Sequence, residues 1–112
     1  MLEKLKELGV DIDEGLARLG GNEELYIKLI KMVIDDSNFD KLDKAIKENN
    51  LEVAFEAAHT LKGVLGNLSI KPIYEKVYEI TELLRNKEQA DYSLKIKEIT
   101  NQKEELRKKL EE

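Results

Sequence analysis

Between Leu51 and Leu68 the chain reads as a helix with one apolar face. At about 100° per residue, with Leu61 set at zero, Ala54, Ala57, Ala58, Val64, Leu65 and Leu68 fall within roughly 60° of it. That stripe is wide enough to be buried against neighbouring elements. His59, the single histidine of the chain, projects about 160° away, near the middle of the opposite face. Gly63 and Gly66 flank it there, and Lys62 lies one turn on. A histidine that packs in a core belongs on the stripe. This one does not.

Helical spacing runs through the rest of the chain. Leu2, Leu5 and Leu8 predict a short helix stopped by Gly9, and a second runs from about Asp13 to Leu19, ended by Gly20-Gly21. Asn22 opens a long segment to about Asn49, with Leu25, Leu29, Ile30, Val33, Ile34, Leu42 and Ile46 on helical spacing. Asp35-Asp36-Ser37-Asn38 interrupts it, which predicts a bend rather than a break. Asn49-Asn50 is the turn and cap before the histidine helix. Ile70-Lys71-Pro72 starts the next helix, since proline is tolerated in a first turn; Ile73, Val77, Ile80, Leu83 and Leu84 form its apolar face. After a loop at Asn86-Lys87, the last helix runs from about Gln89 to the terminus with Tyr92, Ile96, Ile99, Leu106 and Leu110.

Four long amphipathic segments with short connections predict an all-α protein. The expected arrangement is an antiparallel up-down-up-down four-helix bundle with short N-terminal helices, one domain over residues 1–112. The near-heptad spacing of the last helix could indicate coiled-coil pairing. Lys103 on its seam and its short length favour a monomer.

Composition narrows the function. The 112 residues suit one domain with one core, and 41% hydrophobic with 38% charged residues suit a soluble helical protein. With 19 Lys+Arg against 24 Asp+Glu the net charge is −5, which disfavours nucleic acid, where a basic footprint is expected. Having no cysteine, the chain has no disulfide, thiol nucleophile or cysteine-based zinc site. No apolar run approaches the roughly 20 residues that span a bilayer, and no signal-peptide core opens the chain. A cytoplasmic domain with no membrane association is expected.

Chemistry concentrates around His59. A glycine inside a helix costs roughly 1 kcal/mol relative to alanine, and this helix carries two near the histidine. Removing the Cβ at i+4 clears the approach to the imidazole. Gly63 faces solvent, so steric clearance is its expected role; Gly66 lies nearer the stripe's edge. Lys62 at i+3 is within side-chain reach of His59 and would attract a negative group there. An accessible imidazole, cleared space and an adjacent cation suit a group that must receive and hold a phosphoryl. Neutral imidazole is nucleophilic near physiological pH because its unperturbed pKa is about 6.5. Phe55, one turn before His59 and outside the stripe, reads either as packing on a neighbouring helix or as an apolar docking contact. Glu56-x-x-His59 matches half of a di-metal carboxylate motif, but such sites need two copies and the chain has one histidine. No metal site is expected, and Glu56 reads as solvated surface near the docking face.

His59-Thr60-Leu61-Lys62-Gly63, followed by Gly66-Asn67-Leu68, resembles the signature of histidine-containing phosphotransfer (HPt) domains of bacterial phosphorelays. Gly9 to Tyr26 is similar to the segment leading into that family's first long helix, so the resemblance covers most of the chain. One departure is Ser69, where such domains usually have glycine and where serine reads as a helix cap. The resemblance implies a phosphorelay phosphocarrier in two-component signalling, a phosphoprotein with His59 as acceptor through Nε2. Lys62 would bear on phosphoryl charge, Gly63 on clearance, and Phe55, Glu56 and Gly66 on partner binding. It implies receiver domains of response regulators as partners, with a hybrid sensor kinase a further one. The carrier needs no intrinsic cofactor, Mg²⁺ being supplied at the receiver. No Gly-rich phosphate loop or Walker-type string is present, so no autonomous kinase activity is expected. A receiver-binding module without transfer, and the phosphoacceptor domain of a larger sensor or chemotaxis kinase, are the alternatives. The opening Met and the lack of a trailing linker favour a stand-alone protein.

Overall fold

In the computed structural model, which describes residues 1–112, polar side chains decide where most helices begin. The elements are α1 (Leu2–Glu7), α2 (Ile12–Arg18), α3 (Glu23–Ile34), α4 (Ser37–Lys47), α5 (Leu51–Asn67), α6 (Lys71–Arg85) and α7 (Tyr92–Glu111), with no strand. Asp11, Asn22, Asp36, Asn50 and Asp91 each accept a hydrogen bond from a backbone N–H of the first turn they precede, satisfying a donor that has no partner within the helix. α6 has no such cap and instead carries Pro72 in its first turn. For the histidine helix the capping bond runs from the Val53 N–H to Asn50 Oδ1 at 3.2 Å. Asn50→Ala should therefore cost about 1 kcal/mol, lowering the melting midpoint by about 4 °C in a calorimetric scan.

The segment expected as one bent helix from Asn22 to Asn49 is two helices. Asp35 ends α3, and Asp36 adopts extended backbone (φ −62°, ψ 128°) while its carboxylate accepts from the Asn38 N–H at 2.7 Å. A short acidic side chain that caps the next turn competes with continuing the helix, and here it wins. Ser69 also departs from expectation. It caps no helix start; it sits two residues past the end of α5, just after the C-cap Leu68, in the left-handed region, with φ 56°. There its N–H donates to the Gly66 carbonyl and the Ile70 N–H to the Leu65 carbonyl, the paired bonds of a Schellman ending.

The α5 stripe is the centre of the core. Ala54, Ala57, Ala58, Leu61, Leu65 and Leu68 are buried, and Val64 is half-buried. α5 lies between α4 and α6, and α7 packs on α6. Facing pairs fix direction: Gly66 with Tyr74, Lys62 with Tyr78, and Phe55 with Arg85. Residue numbers rise on α6 as they fall on α5, so the two helices are antiparallel. The Lys76–Glu98 pair at 2.9 Å and the Glu79–Lys95 pair set α7 against α6 in the same way. Ile73, Val77, Ile80 and Leu84 of α6, and Ile96, Ile99, Leu106 and Leu110 of α7, are buried as their spacing predicts, while Leu83 and Tyr92 are half-buried. Lys103, the polar residue on the α7 seam, lays its ammonium 4.7 Å from the centre of the Phe39 ring. No helix is long and apolar enough to cross a membrane.

Candidate functional site

The far end of the histidine helix is held by the N-terminal segment. Arg18 of α2 donates to the carbonyls of Gly66 at 3.1 Å and Asn67 at 3.2 Å, and to Ser69 Oγ at 2.6 Å. A guanidinium at a helix C-terminus satisfies free carbonyls and opposes the negative end of the helix dipole. Tyr26 of α3, fully buried, donates from its hydroxyl to the Leu68 carbonyl at 2.6 Å. Burial pushes its phenol up to about 12, with the Asp11 carboxylate adding to the effect. That ring fits because Gly15 has no side chain; a Cβ there would overlap the phenol. Glu14 ties the same segment to α6, bonding Arg18 at 2.7 Å and Lys71 at 2.9 Å. The Lys71 ammonium, with Arg18 beside it, holds the Glu14 carboxyl down to about 2.

On the helix so fixed, His59 is exposed, as its place opposite the stripe predicts. None of the protein's side-chain hydrogen bonds engages its ring. The imidazole lies alongside the Phe55 ring, centroids 5.8 Å apart and planes 29° from parallel. Phe55 also carries the Arg85 guanidinium, 5.0 Å from the ring centre. Phe55 is thus half-buried packing and a brace for His59 at once. A Cβ built at Gly63 meets nothing within 4 Å, so the space beside the imidazole on that turn is open. Lys62 is half-buried, its ammonium 5.5 Å from the centre of the Tyr78 ring.

Gly66 has a different role from Gly63. A Cβ there would come within 3.1 Å of the Tyr74 ring edge, so its missing side chain serves the α5–α6 contact rather than an open approach. Glu56 is exposed, and its backbone carbonyl accepts from the Thr60 hydroxyl at 3.1 Å. Glu52, Phe55 and Glu56 line an open groove with Leu84 and Arg85, one turn from His59. The structure therefore brings His59, Lys62, Gly63, Phe55 and Glu56 to one face and assigns Gly66 to helix packing. Sequence reasoning did not find Tyr78 and Arg85. Their only signal is that they lie off the α6 stripe, and nothing local ties them to α5.

The family model for the Hpt domain matches residues 29–109, which takes in the second half of α3, all of α4 to α6, and α7 to within two residues of its end. The N-terminal segment that clamps the end of α5 lies outside the match. No curated protein and no solved structure matches the chain. Hpt domains serve histidine phosphotransfer in phosphorelays, as phosphocarriers that work with receiver domains and not as kinases. An all-helical chain whose central helix presents an exposed histidine, matched by this model over most of its length, belongs to the Hpt domain family.

Proposed function

We propose that the protein is a phosphocarrier in which His59 accepts a phosphoryl group from a receiver-domain aspartate and passes it to another receiver. The observation that carries this reading is the exposed imidazole, stacked on Phe55, with open space at Gly63 one turn on. The unprotonated ring nitrogen forms the P–N bond as the P–O bond of the acyl phosphate breaks and its electron pair returns to the aspartate. The ring then sheds its remaining N–H proton to solvent. Onward transfer reverses these steps on a second receiver. Such chemistry depends mainly on positioning and charge neutralisation. Mg²⁺ belongs at the receiver, and Lys62, three residues on from His59, offers a cation of this chain to the phosphoryl oxygens. The antiparallel pairs along α5, α6 and α7 support an up-down-up-down bundle of α4 to α7, acting as a monomer in the cytoplasm. The receiver docks over the face of His59, Lys62 and Gly63, with Phe55 and Glu56 at its edge.

The test is incubation with a phosphorylated receiver and Mg²⁺. The expected product is an acid-labile, base-stable phosphoryl label on this chain. Receiver binding without label would replace the carrier by an interaction module, and labelling from ATP with no partner present would make the protein a kinase. Gly63→Leu should keep the helix content seen by circular dichroism but slow transfer at least about tenfold, since misplacing reacting groups by about 1 Å can cost about a hundredfold. Unimpaired transfer in that variant would remove clearance as the reason for the glycine.

A further inference from the structure

Tyr78 is 47% exposed on α6, off its buried stripe, and the fold does not need its ring for the core. It nevertheless has two ring-level contacts. Tyr74 stands one turn before it, ring centres 6.1 Å apart, and the Lys62 ammonium lies over its face. Tyr74 in turn sits against α5 where Gly66 has no Cβ. A continuous support thus runs from Gly66 through Tyr74 and Tyr78 to the ammonium three residues from His59. Lys62 takes part in none of the protein's ion pairs. We propose that Tyr78 is a positioning residue for the phosphoryl site, holding Lys62 on an aromatic face rather than on a carboxylate. This rests on the phosphocarrier reading and specifies how its cation is kept ready.

A ring suits this task better than a carboxylate. A free lysine side chain has about 2 kcal/mol of rotamer entropy to lose when it is fixed, and the ring removes part of that freedom beforehand. An exposed cation–π contact is worth only about 0.5–1 kcal/mol and leaves the ammonium's N–H donors available, so the phosphoryl oxygens can share the ammonium while it stays on the ring. A carboxylate would neutralise the charge and compete with the phosphoryl for it. Tyr78 touches no reacting atom in this scheme and acts only through Lys62.

The experiment measures the equilibrium share of phosphoryl between a receiver and the carrier for wild type, Tyr78→Leu, Tyr78→Phe, Lys62→Met and the Lys62→Met/Tyr78→Leu double variant. Tyr78→Leu should lower the carrier-to-receiver phosphoryl ratio about two- to fivefold, the range set by an exposed cation–π contact. Tyr78→Phe, which retains the ring, should restore it. In the Lys62→Met background Tyr78→Leu should add nothing, because its route to the site is gone. In parallel, the Lys62 side-chain proton resonances should show a ring-current shift in wild type and Tyr78→Phe that vanishes in Tyr78→Leu. An undiminished effect in the Lys62→Met background, failure of phenylalanine to rescue, or an unshifted Lys62 in wild type overturns the role of Tyr78 and leaves the phosphocarrier standing. A wild type that takes no label from any phosphorylated receiver overturns both.

Discussion

His59→Gln is expected to take no phosphoryl group from a charged receiver while melting within about 0.5 kcal/mol of wild type, the usual range for a surface change. Glutamine keeps a polar side chain of similar reach and is a better helix former than histidine, but its amide is not a nucleophile at neutral pH. The ring is exposed and its intramolecular contact is the Phe55 stack, so folding loses little. Radiolabel retention on a denaturing gel reads the chemistry, and a thermal melt reads the fold. Label retained by the variant would move the acceptor elsewhere on the chain, whereas a collapse in stability would mean that the ring packs as a structural residue.

Leu61→Ala, two positions on, should do the reverse. Leu61 is fully buried at the centre of the α5 stripe, and truncating such a side chain costs about 2–5 kcal/mol from lost transfer energy and the cavity left behind. Against the roughly 5–15 kcal/mol that holds a typical domain, this is the largest stability effect foreseen here. A shift in the urea midpoint with an unchanged slope measures it. Per folded molecule, the variant should still accept phosphoryl at His59, because the opposite face is intact. A loss under about 1 kcal/mol would show that α5 is less central to the core than its burial indicates.

The contrast between positions 59 and 61 was legible before any coordinates, because a helix converts sequence spacing directly into direction. Lys62 and Gly63 were legible for the same reason, being within one turn of the histidine. The break at Asp36 was not. Apolar spacing resumes at Phe39 and Leu42 on the far side, so the pattern alone does not distinguish a bend from a new helix; the carboxylate's bond to the Asn38 N–H decides it. Helical spacing likewise selects Leu25 and not Tyr26 beside it. The structure buries Tyr26 completely and leaves Leu25 38% exposed. The reason lies far along the chain, in the Leu68 carbonyl that the hydroxyl reaches and the room that Gly15 leaves for the ring.

Ser69 shows the same division. A residue past a helix end can cap the next helix or complete the last, and both are local possibilities. Arg18, fifty-one positions earlier, donates to its hydroxyl and to the two carbonyls behind it, drawing Ser69 into the ending of α5. The family match begins only at residue 29. What the first twenty-eight residues contribute to the histidine helix is therefore visible through contacts.

By itself the sequence determined that α5 would bury one face and turn His59, Lys62 and Gly63 outward, because helical periodicity is a property of neighbouring residues. Only the tertiary structure decided that Tyr78 would carry Lys62, that Arg85 would cover Phe55, and that Gly66 would lie against Tyr74. Those pairings depend on how far α6 slides along α5. That axial register is set jointly by many side chains distant in the chain, and no local pattern encodes it.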